Sequence, residues 1–297
     1  MKKMLTIGEG MLELRMNENG SIESSFFGDT LNAAIYAKRF TPSLDVSWFS
    51  AIGTDEFSQN MITFLSTEGI NTNWLYESKE ALLGIYNIQT DTFGERTFNY
   101  WRSNSAATKM MRLMKQKDTV QKIEQFDLVL FTGLSLAILN DEDKKSLLEL
   151  LQLLKASGAK IAFDPNYRER MWHTKENAIT WFDIAFSISD IVLPGLDEMQ
   201  ELYSTHTHDE VNDYLKLLGC TEIIIKCGAD GVVAFVDNLE NCHIPFKAAA
   251  IQVDSTAAGD SFAGTYLAAR ANDLSVQDAI KAADMVARCV VQHPVLL

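Results

Sequence analysis

Asp260 is the residue around which a reaction can be built. It stands in VDSTAAGDSFAGTYLAA, Val253–Ala269, directly after two alanines and a glycine that separate a strand-like run from a helical one. Small residues at such a junction let another molecule approach the backbone, and the first turn of a helix offers N–H groups to an anion. There the N–H groups of Ala257, Ala258 and Gly259 could stabilise charge on a transferring phosphoryl group. Asp260, in the same turn, would take the proton from an attacking hydroxyl. Taken alone, the stretch reads more readily as an ordinary strand-to-helix turn, with Ser255 or Thr256 as N-cap and Asp260 beside the positive end of the helix dipole. Phosphoryl transfer needs support from elsewhere in the chain.

A second group of residues suits a hydroxylated, anionic substrate. Tyr100 and Arg102 in NYWR are two apart, so on a strand they share one face, and Tyr86 lies on the preceding strand-like run. Arginine matches a carboxylate, while tyrosyl and amide groups match hydroxyls. On its own, a Tyr/Arg strand face is more often a solvated or subunit-facing surface. Asn166 and Arg168 in FDPNYR follow a strand end, where they reach a ligand or tie down the loop. His206 and His208 form an H-x-H pair in a polar loop with no further ligands, so no metal site is expected there. GEGMLE, Gly8–Glu13, fails as a dinucleotide fingerprint because position 13 is Glu where Gly or Ala is required.

The elements that must position these residues alternate between strand and helix. MLTIG, VSWFSAIG, DLVLFTG, AKIAFD, DIVLPG and TEIIIKCG read as buried strands, and DEFSQNMITFLSTEG and SLLELLQLLKASG carry helical spacing. Short, continuously apolar strands between helices predict a mostly parallel sheet covered on both faces, with ligands at the C-terminal strand ends. The GE, FTG, FDPNYR, LPG and KCG segments all fall there. LLGIYNIQTDTFGERTFNYWR breaks the alternation and reads as a hairpin turning near Gly94. The helix over 275–291 reads as core-packing.

Composition excludes several classes. With 26 Lys and Arg against 40 Asp and Glu, the net charge is −14, and no basic run appears, so neither nucleic acid nor an anionic membrane surface is an expected partner. The four cysteines lack CxxC spacing and read as reduced thiols of a cytoplasmic protein. The N-terminus lacks an apolar run of signal-peptide length, and no stretch approaches the roughly 20 apolar residues of a membrane span.

STAAGD resembles the D-T-x-x-A/G-G-D signature of the ribokinase-like (PfkB) carbohydrate kinases. FGDTLNAA, AIGTDEFSQNM, GERTFNYWR, TGLSLAIL, FDPNYRERMW and IKCGADG support the resemblance in the family's order, over nearly the whole chain. Within the family the chain is most similar to the 2-keto-3-deoxygluconate kinases. The resemblance implies a three-layer α/β/α fold with a mostly parallel central sheet and a small β-hairpin lid. It implies one domain over 1–297, with the lid inserted at about 74–104 and 10–27 as a contributing segment. It also implies transfer from ATP, with Mg²⁺, to the 6-hydroxyl of a sugar acid.

Carried over residue by residue, Asp260 matches the family's base, and Ala257, Ala258 and Gly259 its anion hole. Gly28, Asp29 and Asn32 match the sugar-binding G-G-x-x-N element, with Phe27 in place of its first glycine, and Gly8 and Glu9 fall in a segment similar to the relatives' sugar site. Tyr86, Tyr100, Arg102 and Arg168 match substrate contacts. Asn166, Lys226, Gly228, Ala229 and Gly231 match the nucleotide side. Glu198 matches the glutamate of an N-x-x-E magnesium motif whose asparagine position is Gly195 here. Asp254 matches a position that helps hold a monovalent cation such as K⁺ in some relatives, and it equally suits a loop brace. The chain ends in VQHPVLL where relatives continue with a Gly-Ala-containing tail, which implies a weakened nucleotide site. Kinases of the same fold for fructose or keto-deoxygalactonate, and a non-catalytic sugar-acid sensor, stay open, as does homo-oligomerisation through the lid.

Overall fold

Thirteen strands and ten helices follow one another in the computed structural model, which describes residues 1–16, 20–90, 96–117, 126–237 and 239–293. The first part comprises β1 (Lys3–Ile7), β2 (Met11–Met16), β3 (Ile22–Phe27), α1 (Asp29–Phe40), β4 (Asp45–Ile52), α2 (Glu56–Thr67), β5 (Leu75–Glu77), β6 (Gly84–Thr90), β7 (Arg96–Trp101) and α3 (Met110–Lys117). Next come β8 (Leu128–Thr132), α4 (Gly133–Ala137), α5 (Asp141–Ala156), β9 (Lys160–Asp164), α6 (Lys175–Ile188), β10 (Ile191–Val192), α7 (Leu196–Tyr203) and α8 (His208–Leu217). The last part holds β11 (Glu222–Lys226), β12 (Val232–Val236), β13 (Leu239–Ile244), α9 (Ala258–Ala271) and α10 (Val276–Val290).

Nine strands make the main sheet in the order β13-β12-β11-β10-β9-β8-β1-β4-β5. From β11 to β5 every pairing is parallel, and β12 and β13 close one edge as an antiparallel pair. Alternate residues of the central strands feed two cores, as a sheet covered on both faces requires. Val129, Phe131, Ile161 and Phe163 pack with Leu147, Phe182 and Met199 of α5, α6 and α7. Leu128, Leu130 and Ala162 pack on the other face with Leu31, Leu65, Tyr266 and Ile280 of α1, α2, α9 and α10. The expected three-layer α/β/α arrangement is what the chain adopts.

A second, four-stranded sheet in the order β3-β2-β6-β7 stands over the strand ends. Two hairpins, β2–β3 and β6–β7, are joined by the parallel pairing of β2 with β6. The insertion expected over 74–104 begins later, because Leu75–Glu77 pairs with β4 and extends the main sheet. The segment named as a contributor, 10–27, supplies β2 and β3, half of the strands of this sheet. The turn expected around Gly94 lies outside the described residues. Met11, Tyr86 and Ile88, with Phe27, Phe98 and Tyr100, form a small core of this sheet's own.

Candidate active site

The C-terminal ends of β1, β8, β9, β10 and β11 converge where α1 and α9 begin. Those two helices cross very closely. A Cβ on Gly264 of α9 would lie 2.1 Å from the carbonyl oxygen of Ala33 in α1, so only glycine permits the approach. That crossing brings Asn32 to Asp260. The buried Asn32 donates from Nδ2 to Asp260 Oδ2 at 2.7 Å. Gly28, just before α1, is needed for a similar reason, because a Cβ there would meet the Glu9 carbonyl oxygen at 2.1 Å.

Asp260 lies in the first turn of α9, half-buried. The helical ladder starts with Ser261 N–H donating to the Ala257 carbonyl at 2.9 Å. Of the three N–H groups expected to form an anion hole, that of Ala258 is turned back onto the Ser255 carbonyl at 3.1 Å. The Gly259 N–H precedes the ladder, as does that of Asp260. A Cβ on Gly259 would meet nothing within 4 Å, so the fold itself does not demand glycine there. Burial and the nearby carboxylates of Asp29 and Asp164 push the Asp260 carboxyl well above its ordinary range, with Asn32 and Arg168 pulling the other way.

Asp29 is buried and heavily bonded. It accepts from the Thr30 N–H at 2.8 Å, from Thr132 Oγ1 at 2.6 Å and from Asn166 Nδ2 at 3.1 Å. Burial outweighs these bonds and raises its carboxyl too. Asn166 has φ +36, a left-handed conformation that asparagine tolerates, and its N–H donates to Asp164 Oδ1 at 3.2 Å. Expected on the nucleotide side, its side chain is tied instead to Asp29. Glu9 is ion-paired with Arg102 and accepts from Ser105 Oγ, while burial pushes its carboxyl up.

These residues border a cavity of about 240 Å³, the scale of a small metabolite rather than a drug-sized ligand. Glu9, Gly28, Asp29, Asn166 and Asp260 line its base, Arg168, Arg170 and Met171 one side, and Phe98, Tyr100 and Arg102 the side formed by the second sheet. Tyr100 and Arg102 share a face, as their spacing predicts, while Trp101 between them is 61% exposed. Tyr86, expected to contact substrate, does not line the cavity. It pairs with Tyr100 in the β6–β7 register, is 2% exposed and donates its hydroxyl to Glu13. The sheet's own small core claims the ring, and a buried carboxylate claims its only polar group.

The remaining candidates lie along β10, β11 and the turns that follow. Lys226 Nζ donates to Asp164 Oδ2 at 2.9 Å. Burial alone would lower the Lys226 ammonium, but Asp164 and Glu198 outweigh it and hold it charged. Glu198 accepts from the Tyr167 N–H at 2.9 Å and from the Gly195 N–H at 3.0 Å, so it caps α7 and clamps the FDPNYR loop; burial raises its carboxyl. Gly228 and Gly231 have φ +57 and +91, and a Cβ on Gly231 would sit 2.1 Å from the Ile244 carbonyl oxygen. Ala229 is exposed between them. Asp254 braces the loop before α9, accepting from the Thr256 N–H at 3.0 Å and from Thr256 Oγ1, with Arg15 Nη2 3.8 Å from Oδ2.

Asp164, Thr132 and Arg170 were not singled out from the sequence. Asp164 and Arg170 lie within FDPNYRERMW, and Thr132 ends the DLVLFTG strand, so each was within reach as a polar residue at a strand end. Among the described residues, no three His, Cys, Asp or Glu side chains come together to hold a metal ion, and His206 and His208 form no such group. The four cysteines are free, and no described helix is long and apolar enough to cross a membrane. Residues 294–297, at the chain end, lie outside the described residues.

The family model described as pfkB family carbohydrate kinase matches residues 1–295. The chain is 36% identical over 296 residues to the 2-dehydro-3-deoxygluconokinase of Dickeya dadantii, covering 98% of this chain and 95% of that one. Identity to the Escherichia coli K12 protein of the same name is 35% over 297 residues, covering 98% and 96%. A solved putative Ribokinase II from Escherichia coli in complex with ATP and Mg²⁺ superposes with a TM-score of 0.82 at 21% identity, covering 99% of this chain and 94% of that one. At that identity the superposition speaks for the fold alone.

Proposed function

The chain belongs to the pfkB family of carbohydrate kinases, and we propose that it transfers the γ-phosphate of ATP to the 6-hydroxyl of 2-keto-3-deoxygluconate. The observation that carries this reading is Asp260, held by Asn32 at the N-terminus of α9 in a cavity that also presents Tyr100 and three arginines. The hydroxyl to be phosphorylated lies against Asp260, which accepts its proton as the oxygen attacks phosphorus. The Gly259 N–H and the open space above it receive the transferring phosphoryl group, with Arg168 close enough to ease the charge on Asp260. The second sheet covers the sugar and keeps water from the phosphate. Gly228, Ala229 and Gly231 line the nucleotide's approach, where both glycines take positive φ and only Gly231 has no room for a Cβ.

Magnesium suits the donors present. Among the described residues there is no ready set of three ligands, which fits an ion held chiefly by phosphates and water, with the Asp164 and Glu198 carboxylates beside Lys226 to hold that water. When bound, the ion neutralises charge on the nucleotide's phosphates.

ADP release with ATP and Mg²⁺ against 2-keto-3-deoxygluconate, its galactonate epimer, fructose and ribose tests the proposal. Turnover confined to the keto-deoxy acids supports it. Equal or faster turnover of fructose would make this a kinase for a neutral sugar, and binding of the acid without ADP release would make it a sensor.

A further inference from the structure

Resting on that kinase reading, we propose that Arg170 receives the substrate's carboxylate, so that preference for a sugar acid resides on the Glu169–Met171 turn rather than on Arg102. Arg102, Arg168 and Arg170 all line the cavity, but their charges are not equally available. Arg102 is paired with the carboxylate of Glu9, whose side chain is 3% exposed. A substrate carboxylate placed against Arg102 would put two carboxylates on one guanidinium. Arg102 still has a buried Nε–H without a partner, which suits a neutral acceptor such as a ketone or hydroxyl oxygen.

Arg168 and Arg170 have no carboxylate partner among the described residues; their hydrogen bonds run to the Tyr167 carbonyl at 3.2 Å and to the Tyr100 hydroxyl at 2.7 Å. Arg168 is the arginine whose charge reaches Asp260, which places it toward the phosphoryl-transfer end. Arg170 instead lies with its guanidinium carbon 4.4 Å from the centroid of the Tyr100 ring. That ring stacks on Tyr86 at 5.6 Å and 21°, and Tyr86 is anchored by Glu13. The guanidinium is therefore held by the Tyr100 ring and hydroxyl together, leaving its other N–H groups for a ligand at little entropic cost on binding. Because the Tyr100 oxygen accepts from Arg170, its own hydrogen can be donated to the second carboxylate oxygen. Asp260 and Arg170 line the same cavity, and the acid carries its reacting hydroxyl and its carboxylate at opposite ends of one six-carbon chain.

Arg170→Met and Arg170→Lys test this, with KM and kcat measured for 2-keto-3-deoxygluconate and for its C1 amide, a neutral isostere with the same reacting hydroxyl. Arg170→Met is expected to raise KM for the acid about tenfold to a hundredfold, the size of a lost charge-assisted hydrogen bond, with a smaller change in kcat. KM for the amide should move by less than about threefold, and lysine should recover part of the loss for the acid. Equal KM increases for acid and amide would mean that Arg170 only orients Tyr100, and an unchanged KM for the acid would remove it from the site; both overturn the proposal. If the wild type released no ADP with the acid, the kinase reading would fall instead. Calorimetric binding of the acid to wild type and the two variants would then decide the role of Arg170.

Discussion

Replacing Asp260 by Asn separates catalysis from folding in a way the geometry makes quantitative. The substitution is isosteric, and the new side-chain oxygen can still accept the 2.7 Å bond from Asn32 Nδ2, so the first turn of α9 should keep its place. What is lost is the proton acceptor. General-base catalysis is worth roughly 10²- to 10⁴-fold, or about 3–5 kcal/mol of activation free energy at 1.36 kcal/mol per decade. What is gained is relief from repulsion, because the native carboxylate shares a poorly solvated corner with Asp29 and Asp164. Two anionic substrates should therefore bind the variant as well as or better than the wild type, and the variant should melt higher at neutral pH. The assay is steady-state ADP release with both KM values, beside a thermal melt at pH 7.5. A fall in kcat of less than about tenfold would refute the base assignment. A large fall accompanied by a lower Tm would show that Asp260 matters to the fold instead.

Asp260 must be ionised to act, so kcat/KM should rise with pH through a midpoint above the ordinary carboxylate range, while the stability contribution of Asp260 runs the opposite way. The fold favours its protonated form, so that contribution is fully present below the unfolded pKa of about 3.9 and is lost as pH rises through the raised folded value. Because Glu9, Asp29 and Glu198 are raised too, the melt difference between wild type and Asp260→Asn across pH 4–8 isolates this share; a difference that does not change with pH would refute a raised Asp260 carboxyl. Tyr86→Phe should leave KM for the sugar acid within about threefold but cost about 1–2 kcal/mol, because it strips a hydrogen bond from the buried Glu13. A tenfold rise in KM would return Tyr86 to the substrate. Gly231→Ala, with φ +91 and a 2.1 Å clash on the Ile244 carbonyl, should destabilise the protein by about 2 kcal/mol or more. Gly259→Ala has open space and a helical position, so it should stabilise by up to about 1 kcal/mol while lowering turnover; a variant both more stable and fully active would show that no phosphoryl group passes there.

Much of the site was legible because it is written in local chemistry. The Ala-Ala-Gly-Asp turn, the Lys-Cys-Gly and Phe-Asp-Pro-Asn strand ends, and the Tyr-x-Arg spacing each depend on neighbours in the chain. The parallel sheet was legible too, since β8 and β9 send alternate residues into two separate cores and must be apolar throughout. The second sheet was read only in part. Nothing in the period of either hairpin announces that β2 pairs in parallel with β6, about 70 residues away, because such pairing is a property of where the main fold delivers the two ends.

Residue types and their order in this chain determined the reaction class, the candidate for the base and the sheet that carries it, because helix termini, glycine turns and strand alternation are decided within a few residues. The tertiary structure alone decided which polar groups remain available. Tyr86 and Tyr100 occupy facing positions, yet one donates inward to Glu13 and the other lines the cavity. Arg102 and Arg170 look equivalent on paper, yet one is charge-compensated by Glu9, which lies in the connection between β1 and β2, far away in sequence. Pairing energies between distant charges depend on distance and burial, and neither quantity exists until the chain has folded.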